Sequence, residues 1–146
     1  MDIRKPNKLE MEKILSLSPQ AIFEGTLGKE KLTIEKAKQL VEPLLKKDGY
    51  YLISTKNNEL MGWILIGGSK DQFSNKAIGF IYELFVLDEY RSKGISKQLM
   101  KTAIEQLKQE GYSEVRLSVF EGNQAIKLYE SLGFENRTRT MSVSIK

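Results

Sequence analysis

The segment Arg91-Ser92-Lys93-Gly94-Ile95-Ser96 separates an apolar run, Phe80 to Leu87, from a long amphipathic pattern. The apolar run predicts a buried strand and the amphipathic pattern predicts a helix from Lys93 to Glu110. A strand, a short glycine loop and a helix start together form an arrangement that binds phosphate. The first backbone N–H groups of a helix lack partners within the helix and lie at the positive end of its dipole.

The charge around this loop agrees with an anionic ligand. Arg91, Lys93, Lys97 and Lys101 are basic, and no acidic residue falls between Arg91 and Ile104. Gly94 would let the backbone approach a ligand closely. The alternative is a solvated basic helix start with an ordinary turn glycine.

A second motif lies downstream, where Asn123 to Phe134 reads NQAIKLYESLGF. Together the two segments resemble the GCN5-related N-acetyltransferase (GNAT) family. The first is similar to that family's acetyl-CoA motif, Arg/Gln-x-x-Gly-x-Gly/Ala, with Ser96 at the position usually held by Gly or Ala. The second is similar to its Asn-x-x-Ala-x-x-Leu-Tyr-x-x-x-Gly-Phe motif. The resemblance runs from about Asp48 to the C-terminus.

The remaining patterns predict an α/β fold. We expect a strand at Asp2 to Lys5, a helix at Asn7 to Leu17 and a loop from Ser18 to Lys31. Thr33 is a candidate N-cap of a second helix, which Pro43 should kink or end. The other expected elements are strands at 50–55 and 60–66 joined by a hairpin turn, a loop at 67–76, a short helix at 123–132 and a last strand at 140–145.

A hairpin that feeds a central strand suggests a mixed sheet. The resemblance implies a single GNAT-like domain over residues 1–146, with a mostly antiparallel sheet flanked by helices. In that fold two central parallel strands splay apart and the cofactor's pantetheine arm enters the gap. Here those strands would be Ala77–Leu87 and Glu114–Val119.

The resemblance also implies the cofactor site. The pyrophosphate of acetyl-CoA would lie on the N–H groups of Arg91, Ser92, Lys93, Gly94, Ile95 and Ser96. The backbone of Phe85 and Val86, freed by a bulge, would bind the acetyl carbonyl and the pantetheine amide; the alternative is that both are plain core. Asn123 would contact the pantetheine arm, cap a helix, or do both, since a cap leaves its NH2 free.

Two residues are candidates for acid–base catalysis. By resemblance Tyr129 faces the cofactor sulfur, where a phenol can protonate the leaving thiolate; the alternative is a half-buried aromatic on the core face. Glu83, in a mostly apolar strand, is the candidate base, since burial would raise its pKa towards the useful range. The alternative for Glu83 is an ion pair with a neighbouring Lys or Arg.

The composition excludes several chemistries. The 146 residues contain no Cys and no His, so a Cys nucleophile, a Ser-His-Asp triad and a thiolate or imidazole metal site are impossible. We therefore expect no metal. The net charge of +4 is mild and suits an anionic ligand. The long basic runs of a dedicated nucleic-acid binder are missing from the sequence. No apolar run suggests a membrane span or signal peptide, so we expect a soluble cytoplasmic protein.

These observations predict an acetyl-CoA-dependent N-acetyltransferase that acts by direct attack of a primary amine in a ternary complex. The acceptor, a small-molecule or peptide amine, would bind in a pocket built by Ser18–Thr33, Gly67–Lys76 and the C-terminal strands. Candidate acceptor-site residues are Phe23, Glu24, Trp63, Asp71, Phe73, Tyr82 and Glu121. The alternatives are a non-catalytic acyl-CoA sensor and a basic nucleic-acid-binding domain. By resemblance, a homodimer through C-terminal strands is possible.

Overall fold

The computed structural model describes residues 2–146, which form five strands and four α-helices. The strands are β1 (Asp2–Arg4), β2 (Tyr50–Lys56), β3 (Glu59–Lys70), β4 (Ala77–Val86) and β5 (Val115–Leu117). The helices are α1 (Lys8–Gly25), α2 (Ile34–Lys47), α3 (Ile95–Gln109) and α4 (Ala125–Ser131), with a short 3-10 helix at Asp88–Tyr90. None of the helices described is both long and apolar enough to cross a membrane.

The strands form one sheet in the order β1-β2-β3-β4-β5. The first three pairings are antiparallel, and β4 pairs with β5 in parallel. Because α3 lies between β4 and β5 in the chain, it supplies the crossover that a parallel pair needs. The prediction of a mixed, mostly antiparallel sheet flanked by helices is confirmed.

The β2–β3 hairpin forms where the sequence predicts it. Asn57 and Asn58 occupy the turn with φ of 54° and 64°. Two consecutive left-handed residues make the turn type that matches the twist of a hairpin, and Asn tolerates that conformation well. This turn fixes the register that places the side chains of β3.

Helices cover both faces of the sheet. On one face, the apolar side of the amphipathic pattern in α3 packs on the sheet, and its residues Ile95, Leu99, Ala103 and Leu107 are all buried. Helix α4 adds Leu128 and Tyr129 to the same core. On the other face, α1 and α2 cover a second core that includes Tyr51, Trp63, Leu65 and Phe85. Residues on neighbouring positions of β4 therefore face two different environments.

Helix α1 is longer than predicted. Asn7 and Glu10 form a reciprocal capping box at its start. The expected loop from Ser18 is wrong, because the helix continues through Pro19 to Gly25. Burial of Ile14, Ser18 and Ala21 against the sheet extends the helical face past the proline, and this tertiary packing offsets the lost backbone hydrogen bond.

Helix α2 begins as predicted and also passes its proline. The Thr33 hydroxyl accepts from the N–H of Lys36 at 3.1 Å, which confirms the N-cap. The helix does not end at Pro43 but continues to Lys47, with Ala37 and Val41 buried. Packing of this face again prevails over the local helix breaker.

Two expectations about strands fail. Strand β3 continues through Gly67 and Gly68 to Lys70, into the segment expected to be a loop. A Cβ at Gly68 would collide with the Tyr112 hydroxyl, so glycine here permits close packing. The predicted last strand at 140–145 is absent from the described segment, and its Met141, Val143 and Ile145 side chains are at least 81% exposed. The alternation of apolar and polar residues in this segment is therefore not enough to place it in the sheet.

Candidate active site

A gap opens between β4 and β5. The two strands pair only from Gly79↔Val115 to Ile81↔Leu117. Strand β5 then ends, while β4 continues to Val86 along its contact with β3. The predicted separation of the central parallel strands is thus present, and the last half of β4 borders the opening.

A bulge in β4 lies at the start of this opening. Leu65 pairs with Glu83 and Ile66 pairs with Ile81, which leaves Tyr82 as the extra residue. Ile81 packs into the α3 core, whereas the carboxyl of Glu83 contacts Trp63 on the opposite face. Without the extra residue, Glu83 would share a face with Ile81, because side chains alternate along a strand. The bulge therefore turns Glu83 towards α1.

The backbone of β4 alternates between the gap and β3. The N–H of Gly79 donates to Glu114 O, just before β5, and after the bulge the N–H of Leu87 donates to Met61 O in β3. Counting back from Leu87 through the regular pairing, Phe85 faces β3, while Leu84 and Val86 face the gap. The bulge is at Tyr82 and not beside Phe85 and Val86. The backbones of Val86 and Leu84 therefore face the gap, whereas the backbone of Phe85, which the resemblance assigns to the cofactor, pairs with β3; sequence reasoning missed Leu84.

The N-terminus of α3 is open. The side chains of Asn7 and Thr33 cap α1 and α2, but no side chain among residues 2–146 caps α3. Its N-cap is Gly94, with φ of 79°, and a Cβ built there would meet no atom within 4 Å. The backbone N–H groups that follow, at Ile95 and Ser96, consequently lie at an open helix start, where such groups can bind an anion.

Strain before the helix gives this loop its shape. Ser92 has φ of 65°, a left-handed conformation that non-glycine residues adopt infrequently. Lys93 lies with its ammonium 5.9 Å from the centre of the Tyr90 ring. Both residues are exposed. They therefore border the uncapped helix start without blocking it.

The Arg91 side chain is engaged in contacts within the protein. Its Nε donates to Val86 O at 2.9 Å, and its terminal nitrogens bind Glu24 at 2.7 Å and Asp88 at 2.8 Å. The guanidinium also lies 5.3 Å from the centre of the Phe85 ring. Arg91 thus joins β4, the end of α1 and the loop before α3, and its charge is paired with two carboxylates.

Asn123 contacts both the start of α4 and the end of α1. Its Oδ1 accepts from the N–H of Ala125 at 2.8 Å, and its Nδ2 donates to Gly25 O at 3.2 Å. The N-cap position of α4 is Gln124, so Asn123 binds the N–H of the first helical residue from one position before the cap. The side-chain NH2, expected to be free, instead holds the end of α1 beside the opening.

Tyr129 stands on the α3–α4 side of the sheet. It packs edge-on against Phe134, with ring centres 6.1 Å apart, and its hydroxyl makes no hydrogen bond to any residue in the described chain. Burial raises the pKa of the Tyr129 phenol above 10. The phenol therefore stays protonated at neutral pH, as a proton donor must.

Glu83 stands on the α1–α2 side. Its Oε1 accepts a hydrogen bond of 2.6 Å from Trp63 Nε1. Loss of hydration raises the pKa of Glu83 to about 7, and the hydrogen bond from Trp63 opposes this rise only in part. Within residues 2–146 Glu83 forms no ion pair, so the alternative partner expected from the sequence, a Lys or Arg, is replaced by an indole.

The expected acceptor-site residues have varied environments. Glu24 pairs with Arg91, and the Tyr82 hydroxyl donates to Gly68 O at 3.0 Å. Asp71 is buried and accepts from Arg116 and Arg137 at 2.9 and 3.0 Å. In contrast, Phe73 is 84% exposed at the tip of the β3–β4 loop. Asp71 and Glu24 therefore hold the scaffold together.

The geometry agrees with a family-level comparison. The model of the acetyltransferase (GNAT) family matches residues 11–134, which include the gap, the open helix and both acid–base candidates. This chain belongs to that family. The resemblance identified in the sequence is confirmed.

Related GNAT proteins support an acyltransferase. An uncharacterized N-acetyltransferase, YycN, from Bacillus subtilis is 34% identical over 67% of this GNAT chain. The match covers 64% of that relative, so the chain spans less than two thirds of its length. A second uncharacterized N-acetyltransferase of the same organism, YdgE, is 27% identical over 83% of the chain and 80% of the relative.

Solved structures share the GNAT fold over nearly the whole chain. A putative acetyl transferase from Pyrococcus furiosus superposes with a TM-score of 0.84 at 25% identity, covering 99% of both chains. An aminoglycoside N-acetyltransferase solved in complex with CoA gives a TM-score of 0.76 at 21% identity, covering 99% of this chain and 94% of that one. The second likeness shows the fold alone.

Proposed function

We propose that this GNAT chain is an acetyl-CoA-dependent N-acetyltransferase that transfers the acetyl group to a primary amine by direct attack. The observation that carries the proposal is the gap between β4 and β5 beside an uncapped helix. The parallel pairing stops at Ile81, and the N-terminus of α3 begins at Gly94 without a side-chain cap. Family membership supports the same reading.

The residues around the gap fit the cofactor. The N–H groups at Ile95 and Ser96 would hold the diphosphate, since they lie at the positive end of α3. Leu84 and Val86 would hold the pantetheine arm through their backbones, because both face the gap; at Val86 the group offered is the N–H, since its carbonyl already accepts from Arg91 Nε. Bound acetyl-CoA would supply a thioester, whose carbonyl carbon is the electrophile.

The acid and the base lie on opposite faces of the sheet. Glu83 points towards α1, and Tyr129 belongs to the core under α3 and α4. A thioester in the gap would therefore meet the amine from one side and the phenol from the other. Glu83 would take the amine proton while the N–C bond forms, and Tyr129 would give its proton to the sulfur as the C–S bond breaks.

Direct transfer matches the composition. The sequence has no Cys or His to form an acyl-enzyme by the common routes. A carboxylate with a pKa of about 7 and a protonated phenol suffice when both substrates are bound together. The acceptor would be a small-molecule or peptide amine that enters from the α1 side.

Isothermal titration with acetyl-CoA, with CoA as comparison, tests the cofactor site. We expect binding in the micromolar range, followed by thiol release when a panel of amines is added. Binding without turnover on any amine would favour an acyl-CoA sensor. If neither ligand binds, the open helix is only a solvated helix start and the proposal is wrong.

A further inference from the structure

The chain's single tryptophan uses its one polar atom on Glu83. Trp63 is 0% exposed, and its Nε1 donates to Glu83 Oε1 at 2.6 Å. A buried indole N–H without an acceptor would cost free energy, so this contact serves both residues. A donor to a carboxylate oxygen also favours the ionised form.

The sheet holds the indole rigidly in place. Trp63 is paired with Phe85 across β3 and β4, and their rings lie 4.9 Å apart at an angle of 40°. Glu83 is two residues from Phe85 on the same face, which is the diagonal position that a long side chain reaches. Because the ring cannot swing away, its N–H fixes where the Glu83 carboxyl stands.

Few other groups near Glu83 titrate close to neutral pH. From β2, Tyr51 faces the same region, since Tyr51, Leu65 and Glu83 form one row across three strands. Its hydroxyl is buried without a hydrogen-bond partner in the described chain, and burial together with the Glu83 charge raises its pKa. From α1, the neighbouring Ser18 does not titrate.

Two further groups complete these surroundings. On β4 itself, burial raises the pKa of Tyr82, so this phenol also stays neutral. Over the Phe85 ring, Arg91 carries a charge that Glu24 and Asp88 balance. Around neutral pH, Glu83 is accordingly the group in this cluster that changes charge.

We propose that Trp63 is a positioning residue for the reaction: its indole N–H orients the Glu83 carboxyl and favours the carboxylate that takes the amine proton. The inference rests on the proposed function for the role of Glu83, but the hydrogen bond can be tested without turnover. On accepting the proton, Glu83 becomes a neutral carboxylic acid, and the indole N–H remains bonded to the same oxygen.

The first experiment is a pH titration of the indole N–H by NMR on the ¹⁵N-labelled protein. One tryptophan gives one indole signal, so assignment is immediate. We expect its shift to change with a midpoint near the Glu83 pKa of about 7, and this change to vanish in Glu83→Gln. A titration that persists unchanged in Glu83→Gln would overturn the contact between the two residues.

The second experiment follows the pH dependence of kcat/KM in Trp63→Phe, which keeps an aromatic ring beside Phe85. Loss of the donor disfavours the carboxylate form of Glu83. We therefore expect the acidic limb of the kcat/KM profile to move to higher pH by about one unit. The amine's own ionisation affects both proteins equally. A lower rate with an unmoved limb would show that Trp63 only fills space and would overturn its positioning role.

The two experiments separate the inference from the proposed function. In the double variant Trp63→Phe/Glu83→Gln we expect no further movement of the limb beyond Glu83→Gln alone. Absence of turnover in the wild-type protein together with a normal indole titration would count against the proposed function. It would leave the contact between Trp63 and Glu83 established.

Discussion

Arg91 and Glu24 form an ion pair of 2.7 Å between the loop before α3 and the end of α1. The same guanidinium donates to Val86 O at the edge of the gap. A guanidinium whose nitrogens are all engaged in this way connects three segments of backbone. The main contribution of Arg91 is therefore to the shape of the site. In the proposed function, the N–H groups of α3 would then hold the diphosphate.

We therefore predict that Arg91→Gln lowers stability more than it weakens cofactor binding. Both partners of the pair are partly exposed, so the loss should be about 1 kcal/mol, with the hydrogen bond to Val86 included. Thermal denaturation and calorimetric titration with CoA measure the two effects. Glu24→Gln is the matched control and should give a similar but smaller loss of stability. A large drop in CoA affinity for Arg91→Gln alone would show a direct phosphate contact.

Substitutions at Gly94 can test the anion site, because Asp and Asn have nearly the same shape and differ in charge. We predict that Gly94→Asp weakens acetyl-CoA binding by about tenfold or more, while Gly94→Asn binds nearly as well as the wild type. Asn and Asp both tolerate the left-handed conformation that Gly94 adopts, and the built Cβ has open space. Titration calorimetry of both variants measures the difference. Equal affinities would exclude an anion at the start of α3.

Tyr129→Phe should separate catalysis from binding. The phenol is the proposed donor to the leaving thiolate, so we expect kcat to fall by about a hundredfold. The ring keeps its packing on Phe134, so CoA affinity and the melting temperature should change little. Thiol release, calorimetry and thermal denaturation measure the three quantities. A joint loss of rate, affinity and stability would assign Tyr129 to the core.

Glu83 should destabilise the fold as the pH rises. Its pKa increases from the ordinary 4.5 to about 7, so between these values the folded state holds a proton that the unfolded state has released. Stability consequently falls as the pH rises through this window. We predict that Glu83→Gln is more stable than the wild type at pH 8, by up to about 3 kcal/mol, and less active. Urea denaturation at several pH values measures the gain. If the unfolding free energies of the two proteins change with pH in parallel, the pKa of Glu83 is not raised in the folded state.

Local patterns account for much of the fold. The α3 stripe, the Asn57–Asn58 turn and the Thr33 cap each depend on residues close together in sequence, and all three form as predicted. The two motifs around Gly94 and Asn123 then identify the family and the strand gap. These signals survive because no distant contact competes with them.

The errors arise where distant contacts decide. Pro19 predicts the end of a helix, but the sheet beneath α1 buries Ala21 and carries the helix further. The alternation at 140–145 predicts a strand, but no strand in the described chain pairs with it. Nothing about a tyrosine at position 82 signals a bulge. The sequence therefore could not predict that the backbone of Leu84 faces the gap. The sequence offers Trp63 only as a candidate acceptor-site residue. Its hydrogen bond to Glu83 depends on how β3 and β4 are aligned, which the sequence does not give.

Asp71 supports the last prediction, which concerns acid stability. Its carboxylate accepts from the backbone N–H and hydroxyl of Ser74 and from Arg116, and these contacts hold its pKa well below the ordinary 3.8. A lowered pKa contributes stability that is present above the ordinary value and is lost as the pH falls below it. Arg137 donates to Asp71 Oδ1, the oxygen that Arg116 also binds, so the carboxylate anchors the segment after α4 as well.

Asp71→Asn should therefore melt at a lower temperature than the wild type at neutral pH, and the difference should shrink as the pH falls below about 4. Asparagine keeps the shape and one acceptor but loses the charge that the two arginines share. Glu121→Gln, which neutralises an exposed acid in the loop before α4, is the matched control and should change the melting temperature little. If the deficit of Asp71→Asn stays constant across this pH range, the arginines do not depend on the Asp71 charge, and the β3–β4 loop is held by its backbone hydrogen bonds alone.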